Sequence, residues 1–276
     1  MVNVYIGAYL TMSAVGLLSV LAIALFIPFF TNDDEDEAEI PVEPKTLDGT
    51  EGADVLAAGS DQEVSGLGGN ETLTTAEDSD GAIINGDGGN DSLELNGTNA
   101  TARGGAGDNT IVATNILNGV VEGGDGGDDI SFTPLRPSDA LGVTKEDDTS
   151  RVDGGAGNDT IIAGGYGGEV FGGEGDDEIY AQGPMDGVDG GTGNDLIFYD
   201  SSVFDAGGAP VLGGEGNDTI SHSSFDSNVE QLSGANIDAG AGDDTIENDI
   251  YIGSDANTLV DTLVGGAGAD SFIMSF

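Results

Sequence analysis

Between Arg151 and Tyr180 the chain uses one pattern twice. GGAGNDTI (Gly154–Ile161) and GGEGDDEI (Gly172–Ile179) begin 18 residues apart. They share glycine at positions one, two and four, aspartate at six and isoleucine at eight. A weaker half-copy, GGYGGEVF (Gly164–Phe171), lies between them, so the unit is nine residues and two units make one period. Short-period repetition constrains the fold strongly, because each unit must bury its apolar face against the next copy of itself.

The pattern runs along most of the chain. It reads GTEGADVL from Gly49, GLGGNETL from Gly66, GDGGNDSL from Gly86, GGAGDNTI from Gly104 and GGDGGDDI from Gly123. After the two copies above come GGTGNDLI from Gly190, GGEGNDTI from Gly213, AGAGDDTI from Ala239 and GGAGADSF from Gly265. Position six is acidic in ten of these eleven copies: Asp54, Glu71, Asp91, Asp128, Asp159, Asp177, Asp195, Asp218, Asp244 and Asp270. The exception is Asn109. Six of the ten spacings between successive position-six residues lie within two of 18, and the longer ones predict loops bulging from a regular coil.

Two apolar positions keep the same beat. Position eight is always large and apolar, from Leu56 to Phe272, and the residue two before each copy is apolar, from Leu47 to Leu263. Short apolar strands flanking glycine turns predict strand–turn–strand units. Stacked at a strand spacing of ~4.8 Å, eleven turns of about 18 residues make a parallel β-solenoid roughly 50 Å long. Its core is two thin apolar columns.

The Gly/Asp loop carries the chemistry. Glycines permit sharp turns that aim carbonyl oxygens inward, and the aspartate adds a hard anionic oxygen. Ca²⁺ takes six to eight such oxygens at ~2.3–2.6 Å, more than one loop supplies but within reach of two stacked loops. These loops resemble the RTX, or hemolysin-type calcium-binding, repeats, whose nonapeptides read GGxGxDxUx. The resemblance covers about Thr46–Phe276 and implies a right-handed parallel β-roll with Ca²⁺ between successive loops. Carried over, the ligands are the ten position-six acids and carbonyls of the glycine loop. In the best-matched run these belong to Gly154, Ala156 and Asp159, to Gly172, Glu174 and Asp177, and to Gly190, Thr192 and Asp195. Both edges of the roll often carry the motif in that family. Here the opposite edge is mostly degenerate, so one row of ions is expected, with Glu71 and Asn109 weakening two sites. A competing reading makes the loops plain tight turns, since Gly, Asp and Asn are ordinary turn residues. Turn chemistry requires no acid at one fixed position, however, nor carboxylates stacked ~5 Å apart without counterions.

Composition agrees. The formal charge is −47, from 5 Lys+Arg against 52 Asp+Glu. That surface repels nucleic acid and anionic lipid and favours cations. About ten Ca²⁺ would offset only about twenty of these charges. Without cysteine, disulfides, zinc–thiolate sites and thiol nucleophiles are excluded.

Residues 2–30 are a different material, 29 residues without one charged side chain. This is long enough to cross a bilayer as one α-helix. A cleaved signal peptide, with Ala22-Ile23-Ala24 as its cleavage pattern, is the rival. It lacks the basic start, and the apolar run is too long for a signal core. Gly7, Ser13 and Gly16 offer small residues to a neighbouring helix. Residues 31–45 form an acidic linker stiffened by Pro41 and Pro44. The domain plan is thus an anchor at 1–30, a linker at 31–45 and a repeat domain at 46–276. Extracellular calcium modules work at ~10⁻⁴–10⁻³ M, so the repeat domain is expected outside the cytoplasm, periplasmic on a bacterial inner membrane, with the N-terminus inside.

The remaining features bear on function. An insertion near Phe132–Ser150 gathers Arg136, Lys145 and Arg151, which suit a partner contact or local pairing with the rod's own carboxylates. His222, the single histidine, has no visible nucleophile or metal set around it. No HExxH, GxSxG or phosphate-cradling lysine loop is present, so no enzyme is expected. The chain stops six residues after Asp270. One-step-exported relatives of the resembled family continue much further, which argues against a secreted toxin or protease. Phe272, Ile273 and Phe276 are expected to seal or pair the open end. The reading is a membrane-anchored, non-enzymatic calcium-binding module. Its rivals are an accessory single-span subunit of an integral membrane complex and, third, an enzyme or lytic factor.

Overall fold

The computed structural model describes residues 46–77, 79–135, 148–164, 167–183, 185–200, 210–225, 235–251 and 261–275. The expected anchor, the acidic linker, Arg136, Lys145 and Phe276 lie outside them. Among the described residues no helix is long and apolar enough to cross a membrane.

The described chain is an all-β parallel solenoid. Odd-numbered strands, from β1 (Thr46–Asp48) to β21 (Thr262–Val264), form one eleven-stranded sheet in sequence order. Even-numbered strands, from β2 (Val55–Ala58) to β22 (Ser271–Ser275), form the other. Register follows the repeat. In the odd sheet β11 (Arg151–Ala156) pairs Val152 with Val170 of β13 (Glu169–Glu174). In the even sheet β12 (Thr160–Gly164) pairs Ile161 with Ile179 of β14 (Glu178–Gln182). Like residues therefore stack on like residues, and one face of each strand turns inward.

Both expected apolar columns are the core. The odd sheet contributes Val64, Ile84, Ala102, Val121, Val152, Val170, Val188, Val211 and Ile237, and position eight contributes Leu73 through Ile246; none is more than 1% exposed. Each fully buried Ile or Leu contributes roughly 1.5–3 kcal/mol. A third column, two residues beyond position eight, was not foreseen. It runs through Leu95, Ala113, Phe132, Ala163, Ala181 and Tyr199 and ends in two polar residues, His222 and Asn248. The rings of Tyr199 and His222 stack 5.6 Å apart, and His222 Nδ1 lies 2.7 Å from Asn248 Oδ1. His222 is thus an interior packing residue.

Phe272, Ile273 and Met274 lie on β22, the last described strand, and are 45–47% exposed. The insertion starts later than expected. Phe132 is buried inside β10 (Asp129–Pro134), and the connection runs from 135 to 150. Arg151 pairs locally, with its guanidinium 2.7 Å from Asp153 and 4.3 Å from the Phe171 ring centroid.

Candidate metal centre

The eleven Gly/Asp corners lie on one edge, where an odd strand passes to the next even strand. In the central rungs only positions four to six separate the strands, as with Gly157, Asn158 and Asp159 between β11 and β12. Up to four successive backbone N–H groups of a corner bond to the neighbouring rungs. Gly157 N–H donates to the Glu174 carbonyl at 2.7 Å, and Asp159 N–H to Asp177 Oδ1 at 2.8 Å. Asp176 N–H donates back to Asn158 Oδ1 at 3.0 Å, and Glu178 N–H to the Asp159 carbonyl at 2.8 Å. Position five of the preceding rung is Ala53 for Asn70 and Gly127 for Asn158, so no side-chain oxygen there accepts their N–H; elsewhere the corner is a backbone ladder as regular as the sheets.

Positions two and four need glycine for its backbone. Gly173 and Gly175 hold φ of 122° and 128°, and an added Cβ at either would overlap the carbonyl of the rung before. Position one needs glycine for a different reason. A Cβ on Gly190 would sit 2.5 Å from both Asp195 Oδ2 and the Gly213 carbonyl oxygen. The bare Cα at position one thus leaves room for the carboxylate in the corner.

The position-six side chain faces inward and its two oxygens have different fates. Oδ1 accepts the N–H of the previous rung, in an unbroken series from Glu71→Asp91 through Asp159→Asp177 and Asp177→Asp195 to Asp244→Asp270. Oδ2 accepts nothing. In Asp91, Asp128, Asp159, Asp177, Asp195, Asp218 and Asp244 it is buried without a hydrogen-bond partner. Such an orphan is costly, since burial without compensation strongly disfavours a charged oxygen. The acidities record that cost. Burial pushes Asp177 up to about 7 and Asp128, Asp159, Asp195 and Asp218 to about 6, against the pull of the N–H each accepts. For Asp177 the neighbouring carboxylates Asp159 and Asp195 add to the rise. Burial likewise raises Asp244.

Residues that depart from the pattern depart in structure. Asp54, at the first rung, gives its Oδ2 to the Thr50 N–H (2.6 Å) and hydroxyl (2.8 Å), so it is not an orphan. Glu71 buries both carboxylate oxygens unpartnered and is pushed up to about 7 by burial and by Asp91. Asn109 keeps the ladder through Oδ1 but donates Nδ2 to the Gly107 carbonyl at 3.0 Å. Its position six is satisfied and uncharged. Ala239 places a methyl where the other copies have glycine, yet Asp244 stays in the ladder. Asp270, half-buried, stands on the last described rung.

The expected carbonyl ligands divide into two kinds. The Gly172 and Gly190 carbonyls point at the position-one glycine of the preceding rung, beside the orphan Oδ2 of Asp159 and Asp177 respectively, and the Gly154 carbonyl does the same beside Asp128. The Ala156, Glu174 and Thr192 carbonyls accept position-four N–H groups at 2.7 Å, and so keep one lone pair each for another partner. Among the described residues no three His, Cys, Asp or Glu side chains cluster as a metal site. One carboxylate per rung with backbone carbonyls is a different donor set, all oxygen and anionic, which suits a hard cation such as Ca²⁺ and not a thiolate- or imidazole-seeking metal.

Sequence reasoning missed the second ladder. At position five the side chains of Asn70, Asn90, Asp108, Asn158, Asp176, Asn194, Asn217 and Asp243 each accept the N–H of the following rung, opposite in direction to position six. The recurrence of Asn or Asp at that position was the available signal.

No curated protein and no solved structure matches the chain. Four stretches, residues 147–165, 153–183, 211–225 and 247–273, match the family model of the RTX calcium-binding nonapeptide repeat, and the corners built above carry RTX repeats at those stretches.

Proposed function

We propose that the protein is a membrane-anchored, extracytoplasmic calcium-binding β-roll, right-handed, that acts as a non-enzymatic structural or interaction module. The observation that carries it is the column of buried Oδ2 atoms without partners at the Gly/Asp corner. Ca²⁺ held there by Asp91, Asp128, Asp159, Asp177, Asp195, Asp218 and Asp244, with position-one carbonyls, supplies the counter-charge that lets the carboxylates stack ionised at neutral pH. The chain's own part is to aim those oxygens into one edge and to tie the corner N–H groups of positions four, six and seven elsewhere. The uncharged run at residues 2–30 supports an anchor, and millimolar calcium outside the cytoplasm supports the placement of the rod.

The test is a calcium titration of the full chain in mild detergent, read by far-UV circular dichroism and melting temperature. Calcium is expected to raise the melting temperature by tens of degrees, and magnesium at equal concentration far less. An unchanged melt on calcium removal overturns the reading. The same uncharged run favours a second reading, an accessory subunit held by neighbouring helices. Recovery of a stoichiometric membrane complex in that extract supports the second reading, and a lone monomer supports the first.

A further inference from the structure

We propose that Asn109 divides the row of calcium sites into two blocks that respond separately. The rungs after it, from β10 to β20 (Thr245–Tyr251), gain and lose their ions as one cooperative unit. The rungs up to and including Asn109 keep their fold when calcium is withdrawn. The proposal rests on the calcium-binding reading and adds the regulation of those sites.

Position six is filled differently on the two sides. In the first block Thr50 takes up Asp54 Oδ2, and Asn109 bonds to the Gly107 carbonyl, which leaves Glu71 and Asp91 with unpartnered oxygens. In the next six rungs nothing in the protein satisfies the group. Asp128, Asp159, Asp177, Asp195, Asp218 and Asp244 each bury Oδ2 without a partner. The interior follows the same division. Ala82, Ala100 and Ile116 close the opposite edge of the first block with buried apolar surface, whereas the third column of the second block turns polar at His222 and Asn248. The second block therefore depends more on counter-charge and less on its core.

Asn109 keeps the ladder and interrupts the row. Its Oδ1 accepts the Asp91 N–H at 2.9 Å, so its amide nitrogen stands where the other rungs have Oδ2. A Cβ on Gly104 would lie 2.5 Å from that nitrogen and 2.4 Å from the Gly123 carbonyl oxygen. On Gly123 the same two places hold Asp128 Oδ2 at 2.4 Å and the Gly154 carbonyl oxygen at 2.3 Å. The corner of Gly104 thus offers a donor where the next corner offers an anion, and an amide N–H₂ does not ligate a hard cation. Within the second block each ion would fix the next. Asp177 Oδ2 stands beside the Gly190 carbonyl of the following rung, and Asp177 N–H donates to Asp195 Oδ1. An ion on Asp177 therefore holds the rung that aims Asp195 at the site after it. Nearest-neighbour coupling of this kind makes stacked repeats respond together. Asp91 Oδ2 lies beside the Gly104 carbonyl, but an ion there has no neighbour across Asn109.

The test is amide hydrogen exchange of the full chain in mild detergent, followed through a calcium titration. Peptides covering β6 (Ser92–Thr98) and β8 (Thr110–Leu117) report on the first block, and those covering β12, β14, β18 (Thr219–Phe225) and β20 on the second. On calcium removal, exchange is expected to quicken roughly 100-fold in the second block and less than about threefold in the first. The second-block peptides are expected to share one calcium midpoint. Asn109→Asp joins the blocks, so β6 and β8 are then expected to lose protection with the rest. Asp177→Asn keeps the ladder oxygen and moves the break, so β12 and β18 are expected to respond at separate midpoints. Protection lost from β6, β8 and β12 together in the parent overturns the proposal, as does a single midpoint in Asp177→Asn. If no peptide responds to calcium, the underlying reading fails. If the second block responds rung by rung at scattered midpoints, this proposal alone fails.

Discussion

The two edges of the solenoid obey different rules. Along the Gly/Asp edge, every odd-to-even connection from β5 (Ile83–Gly88) to β20 has three residues. Along the other edge, the even-to-odd connections range from two residues, Asn118 and Gly119, to the sixteen between Pro134 and Arg151. The difference follows from where hydrogen bonds go. A Gly/Asp corner ties its N–H groups to the rungs on both sides, so an inserted residue would break bonds in two rungs at once. On the opposite edge the bonds differ from rung to rung, as with Asn99 N–H to the Leu117 carbonyl in one and Gly168 N–H to Asp186 in another. Length is free there because no shared ladder depends on it. The fixed edge gathers the buried carboxylates, and the variable edge takes up the insertions.

The largest effect expected on this contrast is collective and depends on pH. Without calcium, the fixed edge holds Glu71 and Asp177 at about 7 and Asp128, Asp159, Asp195 and Asp218 at about 6. In the unfolded chain these groups return to the ordinary carboxylate range near ~4. Between those values the folded chain binds protons that the unfolded chain has lost, so stability rises as pH falls from about 7 towards about 4. With calcium the sign reverses, because the ion needs ionised oxygens and acid releases it. Melting temperatures at pH 7.5 and 5.0, in calcium-depleted and calcium-loaded buffer, should therefore change in opposite directions. A calcium-depleted melt that falls with acidification would remove the burial argument.

Next in size is a backbone test. Gly173→Val puts a β-branched residue at φ 122° with its Cβ on the Gly155 carbonyl. The cost expected is about 3 kcal/mol, a fall in melting temperature of about 10 °C. Gly164→Ala is its counterpart at the start of the variable edge, where an added Cβ meets nothing within 4 Å. That change is expected to stay within about 0.5 kcal/mol. Equal costs would mean that the two edges are not mechanically distinct.

Asp177→Asn separates ladder from charge. An amide oxygen can still accept the Asp159 N–H, as Asn109 does for Asp91. The variant is expected to melt higher than the parent without calcium and to gain less from calcium, each by about 1–2 kcal/mol. Asn109→Asp should do the opposite. If Asp177→Asn loses stability in both conditions, Oδ2 has a partner other than a cation.

The main contrast was legible before any coordinates. The period-18 glycines and the two apolar positions gave strands, register and the side on which acids gather, because those residues do one job in every copy. The third core column escaped notice since its members range from Ala113 to Tyr199 to His222 and share only burial. Asp54 looked like its ten-residue class but is taken up by Thr50, a residue standing where the other copies mostly have glycine. Residue type reveals a repeated role well and a local partner poorly.

The smallest effect tests the least visible part of the fixed edge. Asn and Asp at position five read as turn formers, yet their side chains make a ladder parallel to the buried one and opposite in direction. Asn194 accepts the Asn217 N–H at 2.9 Å and lies on the exposed side of the corner. Asn194→Ala frees that donor to water, so the loss expected is about 0.5–1 kcal/mol, far below that of the buried column. Calcium affinity should be unchanged, because the position-five oxygen faces away from Oδ2. Amide hydrogen exchange should then speed up at Asn217 and leave Asp195 and Asp218 protected. Exchange that quickens at all three would mean that the exposed ladder, and not the buried carboxylates, sets the spacing of the rungs.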